Sequence, residues 1–290
     1  MTASYPQGMR GLFDVRLPER LSAPLVFDSP HSGTLYPPDF TPCQPERRFR
    51  RAEDMHVDDL FADAPSLGYP LLACLFPRIY CDVNRAADDI APDAVEGGHE
   101  LSLSPSAKAF LGKGTVWTKT PPDGAPLYDR PLTAGEVARR IERCWHPYHE
   151  ALAGLLAAVK AKAQCVYHVN LHSMQTVANP MHEDKPGTRR PDMVVSDREG
   201  TTCRPEFTQA ARNILEDLGY RVTVNDPFKG AEIVRVSGRP QDGRHSLQLE
   251  INRGLYMNEE TYERLPRYGE TKAKLTEFAR RLGSWVAHQA

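Results

Sequence analysis

The chain has 290 residues, 40% hydrophobic and 26% charged, with a formal net charge of −2, an ordinary balance for a globular chain long enough to bury a core without staples. Lysine and arginine are scattered, with short clusters at 47–51 and 189–190, so the concentrated basic face of a nucleic-acid binder is not expected. No apolar run nears the ~20 residues of a membrane span, and the N-terminus lacks a basic segment followed by an apolar one, which points to the cytoplasm rather than secretion.

In chain order, short apolar runs bounded by Pro, Gly, Asp or Asn predict strands at 24–27, 70–76, 79–83, 165–171, 193–195, 221–224, 233–236 and 247–251. A helix is predicted from Thr133, where Thr133 and Glu136 form a T-x-x-E capping box. Val137, Ile141, Trp145, Tyr148, Leu152, Leu156 and Val159 then recur every three or four residues. A last helix is predicted over 271–288, with Leu275, Phe278, Leu282 and Trp285 on one face. Strands alternating with helices imply an α/β sheet covered on both faces, read as one domain over 1–290. Oligomeric state is not legible.

In such sheets chemistry gathers at the C-terminal ends of strands. Four strand ends carry reactive residues: Asp28 and His31; Asp82, Asn84 and Arg85; His168, Asn170 and His172; Glu250, Asn252 and Arg253. A fifth cluster, Glu53, Asp54, His56, Asp58 and Asp59, opens a predicted helix. A hydrolytic zinc site needs three protein ligands, usually His and carboxylate, and an open position for water. The metal lowers the pKa of that water from about 15.7 to roughly 7, and a carboxylate moves the protons. His31, His172, a carboxylate of the fifth cluster and Glu250 supply these parts. Each also has a bland reading. His31 fits a loop histidine, and His172 a satisfied core histidine. Glu250 fits a buried ion pair, Arg85 a structural pair with Asp82, and the fifth cluster a solvated first turn. The six cysteines, Cys43, Cys74, Cys81, Cys144, Cys165 and Cys203, make no C-x-x-C pair and read as free thiols. A cysteine or serine nucleophile is a further alternative.

Taken together, SPHSG at 29–33, DMHVDDLF at 54–61, IYCDVNR at 79–85, WHPYHEAL at 145–152, VNLHSM at 169–174, FKGAEIVRVSG at 228–238 and RHSLQLEINRGLYMNEE at 244–260 resemble the N-formylglutamate amidohydrolase family. That resemblance implies a distant relation to zinc carboxypeptidases, hence a three-layer α/β/α sandwich with a mixed sheet of about eight strands. It implies Zn²⁺, or another divalent transition metal, on His31 and His172. Carboxypeptidases place a glutamate three residues after the first histidine. Thr34 stands there, so the third ligand is assigned to Asp54, with His56 and Asp58 as alternatives. Glu250 matches the general acid/base. Asn84 and Arg85 match a pair that holds a substrate carboxylate, Arg85 also serving catalysis by orienting the amide. Lys229 and Arg235 are further candidates for substrate anions. The implied reaction is hydrolysis of a small N-acyl amino acid, N-formyl-L-glutamate to formate and L-glutamate, in histidine degradation. Where the family reads S-I-R-S after the second histidine, this chain has Ser173-Met174-Gln175-Thr176, and 96–114 also departs. Loss of that arginine keeps open another N-acyl amino acid or a peptide as substrate. A non-catalytic small-molecule binder on the same fold is the reading from another class.

Overall fold

The computed structural model describes residues 5–182 and 184–289. Seven strands make one mixed sheet: β1 (Phe13–Arg16), β2 (Leu25–Ser29), β3 (Leu71–Cys74), β4 (Val166–Met174), β5 (Met193–Ser196), β6 (Val222–Val224) and β7 (Arg244–Asn252). Their spatial order is β1-β3-β2-β4-β7-β5-β6. The central run β3-β2-β4-β7 is parallel, so these strands end on one edge. β1 joins β3 antiparallel and β5 joins β7 antiparallel.

The helices form the two outer layers. α1 (Ala134–Arg140) passes through a π-helical turn, Ile141–Trp145, into α2 (His146–Lys160). The capping box forms: the Thr133 hydroxyl accepts the Glu136 N–H at 3.2 Å and the Glu136 carboxylate accepts the Thr133 N–H at 2.7 Å. Tyr148, Leu152, Leu155 and Val159 of α2 pack on Val26, Leu72 and Val166 on one sheet face. α3 (Pro205–Asp217) and α5 (Tyr268–Ala287) cover the other, packing Phe207, Leu215, Leu275 and Phe278 on Phe27, Tyr167, Val169 and Leu249. Among the described residues, no helix is long and apolar enough to cross a membrane.

The main sheet has seven strands, in keeping with the mixed sheet of about eight, although two of the individual strand predictions fall elsewhere and one strand was not predicted. The run 79–83 forms a turn: the N–H groups of Tyr80 and Cys81 bond the Pro77 carbonyl at 3.0 and 3.4 Å. Its apolar content comes from burial beneath the sheet, and periodicity cannot tell a buried loop from a buried strand over five residues. The run 233–236 lies in α4 (Glu232–Ser237), with Ile233 and Val234 buried and Arg235 exposed. β1 escaped the sequence reading because this edge strand buries only Phe13.

Gly33 sets the loop that follows β2. A Cβ there would stand 2.3 Å from the Leu75 carbonyl carbon and 2.3 Å from the Phe76 carbonyl oxygen. Both obstacles are backbone, so neither can swing aside. Gly33→Ala is expected to destabilise the protein by about 1–3 kcal/mol. Urea unfolding would show it as a lower midpoint at unchanged slope; an unchanged midpoint would mean that the loop yields freely.

Candidate functional site

Side chains alternate across a strand, and in β2, β4 and β7 the alternation separates two chemistries. Phe27 of β2, Val169 and Leu171 of β4, and Leu247, Leu249 and Ile251 of β7 enter the core beneath α3 and α5. On the opposite face the same strands carry Asp28, then His168, Asn170 and His172, then Ser246, Gln248 and Glu250. Register sets Asn170 beside Asp28 and Gln248, and His172 beside Glu250. All seven polar residues are buried, so this row must satisfy itself internally.

At its C-terminal end the row meets two loops. His31 follows β2, and Asp54 precedes the helical turn Val57–Leu60, where its N–H bonds the His31 carbonyl at 3.0 Å. The Nδ1 atoms of His31 and His172 lie 3.2 and 3.0 Å from Asp54 Oδ2. One ligand atom from each of these buried residues falls within 4.8 Å of the others, a group able to hold a metal ion. The surroundings fit that role. His31 Nε2 faces Asp82 Oδ1 at 2.7 Å, and His172 Nε2 faces Asn170 Oδ1 at 2.6 Å. Each ring therefore has an acceptor for its Nε2 proton, which leaves Nδ1 able to present a lone pair. Burial alone would raise Asp82, but the Arg78 guanidinium and His31 hold it well below the usual carboxylate range. Arg78 Nη2 donates to it at 2.8 Å and the Trp117 indole at 3.2 Å. Asp54 is likewise held well down against burial, by its histidine contacts and the charge of Arg78. Its second oxygen accepts from Arg253 Nη2 at 3.0 Å and the Ser173 hydroxyl at 3.3 Å.

The site opens into a cavity of about 350 Å³ lined by His172, Asn84, Arg85, Arg190, His182 and Glu250 among others. Glu250 is the single acidic residue of that lining, facing Arg51, Arg78, Arg85, Arg190, Lys229 and Arg253. Burial pushes its carboxyl above the ordinary range, with the Asp54 charge adding to the rise. Gln248 Nε2 donates to it at 2.9 Å. Arg85 donates to the carbonyls of Lys113 and Asn84 at 3.1 and 2.8 Å and has no carboxylate partner among the described residues. The bland alternative for Arg85, a structural pair with Asp82, does not form; Asp82 pairs with Arg78 instead. Arg190 is pinned by Asp184 at 2.7 and 3.0 Å, donates to the Gln175 carbonyl at 3.2 Å and lies over the Phe228 ring. His182 Nδ1 accepts the Asn179 N–H at 2.9 Å, so Nε2 carries its proton. Burial and the charges of Arg190 and Lys113 push its pKa down to about 3, which leaves a neutral donor among the cations.

Of the sequence candidates, His31, Asp54, His172, Glu250, Asn84 and Arg85 meet at this one place. Lys229 lines the outer cavity with Nζ 2.7 Å from Glu199. Arg235 is outside the lining, paired to Glu232 on the exposed side of α4. The alternative ligands point elsewhere: His56 packs on Tyr268, and Asp58 faces Arg16 at 3.4 Å. Five of the six cysteines are buried, and none lines the cavity. Sequence reasoning missed Arg78, Arg190, His182 and the supporting roles of Asp28, Asp82, Asn170 and Arg253. A signal was available for Asn170 and Gln248: H-x-N-x-H and S-x-Q-x-E put polar residues on alternate positions of fully buried strands.

The chain is similar to several known proteins. The family described as N-formylglutamate amidohydrolase matches residues 23–257. An N-formylglutamate deformylase of Pseudomonas aeruginosa is 29% identical over 246 residues, covering 83% of this chain and 85% of that protein. One from Pseudomonas putida is 27% identical over 240 residues, covering 81% and 82%. The crystal structure of an N-formylglutamate amidohydrolase from Ralstonia eutropha superposes with a TM-score of 0.90 at 41% identity, over 97% of this chain and 100% of that one. A protein of Agrobacterium tumefaciens shares the fold, at TM-score 0.68, 15% identity and 98% and 99% coverage.

Proposed function

The chain belongs to the N-formylglutamate amidohydrolase family, and from that premise we propose that it hydrolyses N-formyl-L-glutamate to formate and L-glutamate. His31, Asp54 and His172 would hold a divalent metal, most simply Zn²⁺. The observation that carries this reading is the convergence of two imidazole Nδ1 atoms on Asp54 Oδ2, beside the buried Glu250, at the floor of a cationic cavity. Two nitrogens and one carboxylate oxygen form a donor set typical of catalytic zinc. When bound there, Zn²⁺ acidifies water and polarises the acyl carbonyl.

The chain's own residues do the rest. Asn84 and Arg85 hold the α-carboxylate and so fix the amide over Glu250. Glu250 takes a proton from the attacking water as the C–O bond forms, then delivers it to the amide nitrogen as the C–N bond breaks. Arg190 and the neutral His182 offer donors to a second carboxylate. They stand beside Gln175, where the family's arginine is missing, and so favour a dicarboxylate substrate. Lys229 and Arg235, the further candidates for substrate anions, are held by Glu199 and Glu232 and would contribute only by exchanging those carboxylates for the substrate's. A cytoplasmic role in histidine degradation belongs to the same proposal.

The test is hydrolysis of N-formyl-L-glutamate and N-formyl-L-glutamine by the purified protein, before and after chelation and zinc return. Activity lost to chelator, restored by zinc and at least tenfold higher on the glutamate derivative is the expected result. Bound metal with equal activity on both would discard the dicarboxylate preference. Activity on the glutamate derivative that chelation leaves intact would discard the metal.

A further inference from the structure

Beneath the metal-capable group lies a buried polar chain that the reaction does not touch. Asp28 is fully buried and accepts three hydrogen bonds: from Tyr148 Oη at 2.7 Å, from His168 Nε2 at 2.8 Å and from Asn170 Nδ2 at 2.8 Å. Burial opposes its charge, yet these partners, His168 foremost, keep its pKa below the usual value. An ionised carboxylate only accepts, so Asn170 must turn its Nδ2 toward Asp28 and its Oδ1 toward His172 Nε2, 2.6 Å away.

A second asparagine contests the same nitrogen. Asn84 Oδ1 accepts the Ile233 N–H at 2.8 Å, which turns Asn84 Nδ2 toward His172 Nε2 at 3.0 Å. His172 Nε2 thus stands between an acceptor and a donor and can serve only one. Serving Asn170 puts the proton on Nε2 and leaves Nδ1 bare. Serving Asn84 leaves Nε2 bare and puts the proton on Nδ1, facing Asp54, where it would block a cation.

We propose that Asn170, oriented by Asp28, is a positioning residue that commits His172 to the tautomer able to ligate a metal, and that the same commitment releases the Asn84 amide N–H toward the substrate carboxylate. The inference rests on the metal reading above and concerns how the ligand is prepared. Outer partners of this kind typically shift metal affinity by about 10–100-fold.

Zinc affinity, measured by competition with a chromophoric chelator on metal-stripped protein, tests it without recourse to activity. Asn170→Leu removes the acceptor and hands Nε2 to Asn84; its zinc affinity is expected to fall about 10–100-fold. Adding Asn84→Asp to that variant supplies a new acceptor from the other side and is expected to recover most of the loss. Asn84→Leu in the otherwise native chain removes the competing donor, together with the acceptor of the Ile233 N–H, but leaves the Asn170 acceptor on His172 Nε2 in place, so its zinc affinity should equal or exceed that of the wild type. This variant keeps the idea testable if Asn170→Leu fails to fold. Wild-type affinity in Asn170→Leu would overturn the inference. So would a loss that Asn84→Asp does not repair, which a merely structural role would produce, or a tenfold loss in Asn84→Leu. A wild-type protein that binds no zinc would instead overturn the metal reading itself.

Discussion

Glu250→Gln is expected to lower kcat by about 10²–10⁴-fold while leaving zinc content and thermal stability near wild type, because proton transfer by a positioned side chain typically contributes that much. Glutamine keeps the shape and can still accept the Gln248 Nε2 hydrogen bond. What it lacks is a site for the water proton and a proton to return to the leaving nitrogen. The buried carboxyl titrates above the ordinary glutamate range, and a base acts only when deprotonated. Wild-type kcat/KM should therefore fall as pH drops through that raised value, and the residual activity of Glu250→Gln should lack this acid limb. Stopped assays across pH on both proteins check the claim. A variant with full activity, or with the same acid limb, would remove Glu250 from the chemistry. Burial of a charge here costs stability unless it is paired, so the stability of Glu250→Gln should equal or exceed that of the parent.

The reading of Glu250 shows how far the sequence reached. A charged residue inside an apolar strand is conspicuous on one line of text, because burying it has a cost that function can explain. His31 and His172 were legible for a related reason: they end apolar runs that parallel pairing brings to one edge. Asp54 needed the resemblance, since four neighbouring polar residues offered equally plausible oxygen or nitrogen donors. Only the left-handed turn at His56, φ 67°, sends His56 away and leaves Asp54 facing the histidines. Arg190 was illegible because it reaches the cavity from a loop after β4, and no local pattern reports a contact made by a loop. The two mistaken strands failed for the same physical reason. Residues 79–83 and 233–236 are apolar because they are covered, and covering is decided by elements far away in the chain.

The second large effect concerns Asp54, where an almost isosteric change should abolish metal binding. Its two oxygens face different partners. Oδ1 accepts from Arg253 Nη2 at 3.0 Å and from the Ser173 hydroxyl at 3.3 Å, with Arg78 Nη1 3.8 Å away. Oδ2 faces the two imidazole Nδ1 atoms at 3.2 and 3.0 Å. In Asp54→Asn the donors on the first side claim the amide oxygen, because an amide nitrogen there would meet the guanidinium of Arg253. The NH₂ is then forced toward His31 and His172, where it donates to the lone pairs a metal would use. The variant should fold, since every partner of Asp54 still finds a hydrogen bond. It should not respond to zinc. A ligand that binds only the folded state stabilises it by RT ln(1 + [L]/Kd), about 2.7 kcal/mol at a hundredfold excess over Kd. Wild-type protein should therefore melt at a higher temperature with added zinc, whereas Asp54→Asn should melt at one temperature with or without it and show no hydrolysis above background. An equal zinc-induced shift in both proteins would take Asp54 out of the ligand set and return the choice to His56 and Asp58, each of which would have to abandon its present contacts to reach the histidines.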